Sequence, residues 1–186
     1  MPRASAKIVR LFAMCCAVLL GPTAPRAAAQ DTPPRTVISL PGHAAPLLLD
    51  TIGVWREVDT TPERAFAALT IIYDQLKIPV GVRDSRRRYI GNLHFTKMRS
   101  LGKSSLSEYI ECGNDMTGSR ADKYRVHFAV VSRIDSLGPG RSRIRSAVVA
   151  GAEDVLGSSV YPIPCGTTGR LESKITNFVV ASAKSP

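Results

Sequence analysis

The sequence predicts an α+β domain in which a single antiparallel sheet carries two main helices on one face, in the order β-α-β-β-β-β-α. Three observations lead there. Two stretches of helical periodicity lie towards opposite ends of the chain, Thr61 to Leu76 and Leu171 to Val179. Between them run segments that alternate apolar and polar residues, the mark of half-buried strands. The links between those segments are short and glycine-bearing, as at Leu137-Gly138-Pro139-Gly140, which suits antiparallel neighbours. With 44% hydrophobic and 22% charged residues, the composition is that of a globular chain and not of a disordered one.

The chain opens with a basic start (Arg3, Lys7, Arg10), an apolar run from Leu11 to Leu20 and the small-residue pattern Ala27-Ala28-Ala29. Residues 1–29 therefore read as a secretory signal peptide. The apolar run is too short to cross a bilayer, which takes about 20 residues. No transmembrane span is expected after signal removal. Cys15 and Cys16 invite lipid attachment, but Phe12-Ala13-Met14 lacks the small residue that precedes such a cysteine. The signal takes four basic residues and no acidic one, so the net charge falls by four from +10. What is left is moderately basic and suited to anionic envelope surfaces. Nucleic acid is not expected as a partner, because the chain is exported and only 6% aromatic.

Residues 30–50 read as a flexible tether, with Pro33-Pro34, Pro41-Gly42 and Ala44-Ala45-Pro46. The single domain is expected over 51–184. Ile52 to Val58 alternates as a first strand, and its Trp55, the only tryptophan, is expected in the core. Thr60-Thr61-Pro62-Glu63 starts a helix, with a threonine cap and proline at the first helical position. Phe66, Leu69, Tyr73 and Leu76 give that helix its buried stripe.

A hairpin with a basic tip follows. Val80 to Arg83 leads into a turn at Asp84-Ser85 and the run Arg86-Arg87-Arg88, then a strand over Tyr89 to Met98. Strict alternation puts Tyr89, Leu93 and Phe95 on one face and Asn92, His94 and Thr96 on the other. Leu101 to Gly118 is irregular. Tyr124, Val126, Phe128 and Val130 alternate with Arg125 and His127; Ile144, Ser146, Val148 and Ala150 alternate with Arg143 and Arg145. Gly151 to Pro164 reads as a loop. Cys165 to Gly169 reads as the start of the last helix, with Leu171, Ile175, Phe178 and Val179 as its stripe.

Outside the signal stand two cysteines, Cys112 and Cys165, and in an oxidising compartment they are expected to pair. With about 50 residues enclosed, the loop-entropy account gives at most roughly 4 kcal/mol.

The element order, together with Thr61-Pro62-Glu63-Arg64-Ala65-Phe66, resembles the helix-grip or TBP-like domains of the outer-membrane assembly lipoprotein BamC, over roughly Trp55 to Val180. The resemblance implies a binding or assembly module of the cell envelope. The chain departs from that family in its expected disulfide and in lacking a clear lipid-attachment cysteine.

Three constellations are candidates for anion or partner binding. One is the sheet face opposite the helices, with His94, Arg125, His127, Arg143 and Arg145. The second is the hairpin tip, Arg83, Arg86, Arg87 and Arg88. The third is the start of the last helix, where free N–H groups and Arg170 favour an anion. His43 lies in the tether, so no third histidine completes a metal set, and no metal or cofactor is expected. No Gly-x-Ser-x-Gly or carboxylate pair stands in a catalytic context. The expected function is thus a secreted or periplasmic, non-enzymatic module that contacts an envelope protein or an anionic envelope surface. The alternative is a carrier of a small apolar ligand in a START-like cavity lined by Phe66, Leu69, Phe95, Phe128 and Phe178.

Overall fold

The computed structural model describes residues 35–155, 157 and 161–184, so the expected signal peptide lies outside the described residues. A two-residue ladder joins β1 (Val37–Ile38) to β2 (Leu47–Leu48). Strand β3 (Val54–Val58) leads into α1 (Pro62–Gln75). The first hairpin is β4 (Val82–Asp84) and β5 (Tyr89–Lys97). Short pieces follow: β6 (Ser100–Leu101), β7 (Ser104–Ser105), β8 (Ile110–Glu111), β9 (Asn114–Asp115) and β10 (Gly118–Ser119). A long hairpin, β11 (Arg125–Gly138) and β12 (Arg141–Glu153), forms the centre of the sheet. Strand β13 (Ile163–Thr167) and helix α2 (Arg170–Lys184) complete the chain.

The main sheet runs β4-β5-β11-β12-β13-β8, and β3 also pairs with β12. All its pairings are antiparallel. Strands β3 and β13 share one side of β12: β3 takes Ser142 to Ser146 and β13 takes Ala150 to Ala152. The fold is thus α+β with two main helices, as the sequence predicts, and its main sheet has two more strands than expected, β8 and β13.

Helix α1 forms for the expected reasons. Thr61 is the cap, its Oγ1 accepting from the Arg64 N–H at 3.4 Å, and Pro62 is the first helical residue. Both helices bury their stripes in one cluster with Val126, Phe128, Val130, Ile134, Ile144 and Val148, the same-face residues of the central hairpin. Burial of each such side chain stabilises the fold by roughly 1.5–3 kcal/mol. Within the cluster, Tyr73 donates its hydroxyl to Ser132, and Ser132 bonds Ser146 at 2.8 Å, so these buried oxygens are satisfied.

Four expectations are corrected. First, the compact unit takes in the described residues from 35 onward and does not start at residue 51. The stretch read as a tether packs on the sheet face opposite the helices, where Ile38, Leu40 and Leu49 form a second core with Ala129, Val131, Ala147 and Val149. The chain passes so close there that a side chain on Gly151 would meet the carbonyl of Pro41 at 1.8 Å. His43 fixes the crossing by donating from Nε2 to the Ala150 carbonyl at 2.8 Å.

Second, Ile163 to Thr167 is a strand, so Cys165 pairs with Ala150 inside the sheet and α2 starts five residues later. Third, Tyr89, Leu93 and Phe95 do not share a face. The β5–β11 register shifts between Phe128 and Val130, which leaves Tyr89 and Leu93 against the second core and puts Phe95 in the first. This is a β-bulge, and it moves His94 onto the same face as Leu93. Fourth, Trp55 is not a core residue: it is 57% exposed on β3.

Candidate functional site

The expected cationic sheet face divides into two sites, because the stretch from β1 to β2 covers the middle of that face. His94, Arg125 and His127 lie at one end, and Arg143 and Arg145 at the other.

At the second end, register sets Trp55 directly opposite Arg145 and Glu57 opposite Arg143. The Arg143 guanidinium stands 4.9 Å from the centroid of the Trp55 ring, a cation–π arrangement. Glu57 holds two arginines, with Arg143 donating to Oε1 at 3.0 Å and Arg141 to Oε2 at 2.9 Å. Arg145 donates to the Asp50 carbonyl at 2.7 Å, and Arg133 pairs with Asp135 at 2.7 Å. The arginines here are thus held in place by carboxylates and carbonyls, and the tryptophan is held in turn by an arginine.

The basic hairpin tip lies towards this same end of the sheet, because Tyr89 pairs with Arg133 and the Ile134 N–H donates to the Arg88 carbonyl. The backbone N–H groups of Arg87 and Arg86 donate to Asp84 Oδ1, which builds the turn and holds the Asp84 carboxyl below its usual range. The side chains of Arg86 and Arg87 project from an exposed turn. Arg88 has φ 49° and pairs with Glu63 at 3.6 Å. Arg83 leaves this group, since its guanidinium lies over the Phe66 ring at 5.6 Å.

At the opposite end, His94 Nε2 meets His127 Nδ1 at 3.0 Å, and His127 Nε2 meets Glu153 Oε2 at 3.1 Å. Arg125 reaches the same carboxylate oxygen at 3.9 Å. His127 is buried and His94 is exposed. Asn92 sets up the bulge that delivers His94, its Oδ1 accepting from the His94 N–H at 3.0 Å while its Nδ2 donates to the Pro79 carbonyl.

No family model and no curated protein sequence matches this chain.

Cys112 and Cys165 form a disulfide with Cα atoms 4.4 Å apart, joining the short-strand region to β13 as the sequence predicts. Beyond it, N–H groups at the start of α2 are taken up by the chain's own threonines. Thr167 Oγ1 accepts from the Gly169 N–H, and Thr168 Oγ1 accepts from the Arg170 N–H. The Glu172 carboxylate fills the first turn, where an anion was expected to bind, and burial pushes its carboxyl up. Arg170, the first residue of α2, is exposed.

Among the described residues no group of three or more His, Cys, Asp or Glu side chains is arranged to hold a metal ion. The side chains expected to line a carrier cavity instead pack together in the first core, with Phe66, Leu69, Phe95 and Phe128 buried and Phe178 packed against them. A groove of about 180 Å³ lies elsewhere, between α1 and α2, lined by Ala67, Ala68, Ile71 and Val179 among others.

Sequence reasoning missed Trp55, Glu57, Glu153 and Glu172 as members of these sites. Glu153 was within reach of the same alternation that placed Arg143 and Arg145, since it has their parity on β12. The exposure of Trp55 had no sequence signal, because it follows from β3 having β12 as its partner in the sheet.

Proposed function

We propose that this protein is a secreted or periplasmic, non-enzymatic binding module that docks onto an anionic surface of the cell envelope through the end of the sheet carrying Trp55. The observation that carries the reading is the exposed tryptophan, 57% accessible, fixed against Arg143. An indole presented in this way has an apolar body and a polar tip, the character of residues that seat at a membrane–water boundary. Arg86 and Arg87 on the neighbouring tip supply attraction to phosphate headgroups, worth about 1 kcal/mol per basic residue near an anionic membrane. Among the described residues no helix is long and apolar enough to cross a membrane. The disulfide suits an oxidising compartment, which fits export by the signal read over residues 1–29. A helix-grip-like order, with helices over one face and binding at the rim of the other, is part of the same reading.

Co-sedimentation with vesicles tests it. The mature protein is expected to pellet with phosphatidylglycerol vesicles and not with phosphatidylcholine vesicles, and to be released by high salt. The double variant Arg86→Glu, Arg87→Glu is expected to lose the binding while keeping its melting temperature. Equal recovery with both vesicle types, or binding indifferent to salt, would rule the reading out.

A further inference from the structure

We infer that His94, His127 and Glu153 form a proton-operated latch, a contact between β5 and β11 that survives the uptake of one proton and opens on the second. The chemistry follows from which nitrogens face each other. With Glu153 ionised, neutral His127 presents Nε2–H to the carboxylate at 3.1 Å. Its Nδ1 then carries a lone pair, and His94 donates Nε2–H to it across 3.0 Å. The outward Nδ1 of His94 keeps the remaining lone pair. A first proton is accommodated: whichever ring takes it, one nitrogen of the facing pair still accepts. With a second proton both facing nitrogens bear hydrogen, neither accepts, and two cations stand with ring centroids 5.3 Å apart. The 3.0 Å contact cannot be kept in that state.

The charged and titratable groups around the pair come from each strand that meets there. Glu153 on β12 faces His127, and Arg125 on β11 shares that carboxylate at 3.9 Å. Thr96 on β5 is the register partner of His127, and His43, from the covering segment, is engaged at the nearby Ala150 carbonyl. One carboxylate therefore meets up to three cations when both rings are protonated, so the second proton has no partner charge. His127 is only 8% exposed, whereas His94 is exposed, so His94 is the side that leaves. The His94 N–H is held only by Asn92 Oδ1 at 3.0 Å inside the bulge, so this stretch of β5 loosens when the ring contact is lost.

The test is a pair of NMR measurements on the mature protein between about pH 8 and pH 4, the range that spans the ordinary imidazole and carboxyl values. Long-range nitrogen–proton spectra should place the neutral proton of His127 on Nε2. Amide exchange at Phe95 and Thr96, corrected for its intrinsic pH dependence, should report opening that grows about tenfold per pH unit for each proton taken up. In His94→Gln, whose amide keeps a donor but takes no proton, that acid-driven opening should be absent. A neutral His127 proton found on Nδ1, or corrected exchange that is flat with pH in the natural protein, would overturn the latch. The measurement on the natural protein decides even if the variant folds poorly.

Discussion

Glu172 places both carboxylate oxygens within 2.8 and 3.0 Å of a single hydroxyl, Thr167 Oγ1, at a position only 1% exposed. Burial is the main cause of its raised carboxyl, opposed by its own backbone N–H and by Thr167. A carboxyl raised by folding favours the folded state in its protonated form. That contribution is fully present below the unfolded value of about 4.3 and is lost as pH rises through the folded value. Glu172→Gln keeps the acceptor for Thr167 and removes the buried charge. Its melting temperature should exceed that of the natural protein at pH 7, and the gap should close as pH falls towards 4. A variant less stable than the natural protein at both pH values would show that the charge at the first turn of α2 is favourable after all.

The disulfide between Cys112 and Cys165 closes a separation of 53 residues. Replacing both cysteines with serine should cost about 2–4 kcal/mol, read from chemical denaturation with and without reductant. The loss should match that of the reduced natural protein. If reduction leaves the denaturation midpoint unmoved, the bridge contributes nothing to stability.

Asp115 is the acid-side counterpart of Glu172. Lys123 Nζ, at 2.6 Å, is the largest cause that holds its carboxyl well below the usual range, followed by the N–H and hydroxyl of Thr117. Stability linked to this group is present above the unfolded carboxyl value and is lost as pH falls through the lowered one. Lys123→Met should move the Asp115 titration up towards the ordinary carboxylate range by NMR. An unmoved titration would place the cause in Thr117 alone.

The segment over the back of the sheet depends on Gly151. An added Cβ would stand 1.8 Å from the Pro41 carbonyl oxygen, a backbone atom that cannot rotate away. Gly151→Ala should therefore cost about 1–3 kcal/mol and expose residues 36–48 to limited proteolysis. Unchanged protease resistance would mean that the segment shifts without leaving its seat.

The local signals in the sequence were faithful where local chemistry decides structure. Thr61, Pro62 and the stripe from Phe66 to Leu76 define α1, and the alternation after Arg125 and Arg141 defines the central hairpin. The signals failed where pairing across the sheet decides. Ile163 to Thr167 contains proline and glycine, which argue against a strand, yet β12 offers a free side and the segment pairs with it. The bulge in β5 leaves no mark in composition, so His94 could be placed on a face only once its register with β11 was known.

The tether reading failed for a reason that was visible. Ala129-Val130-Val131 and Ala147-Val148-Val149-Ala150 are unbroken apolar runs inside otherwise alternating strands, so both faces of the sheet had to be covered there. Ile38, Leu40 and Leu49, scattered among prolines and glycines, are what cover the second face. Trp55 was misread in the opposite direction, since a large aromatic beside the core sits at the rim.

Trp55 also makes the proposed docking face directly observable, because it is the only tryptophan in the chain. The decisive measurement is its emission while the folded protein is titrated with phosphatidylglycerol vesicles, with an aqueous quencher added at saturation. A shift of the emission to shorter wavelength with loss of quenching, reversed by salt, is the predicted result. Emission and quenching that stay unchanged while the protein pellets with the vesicles would contradict it, because the contact would then lie on another face.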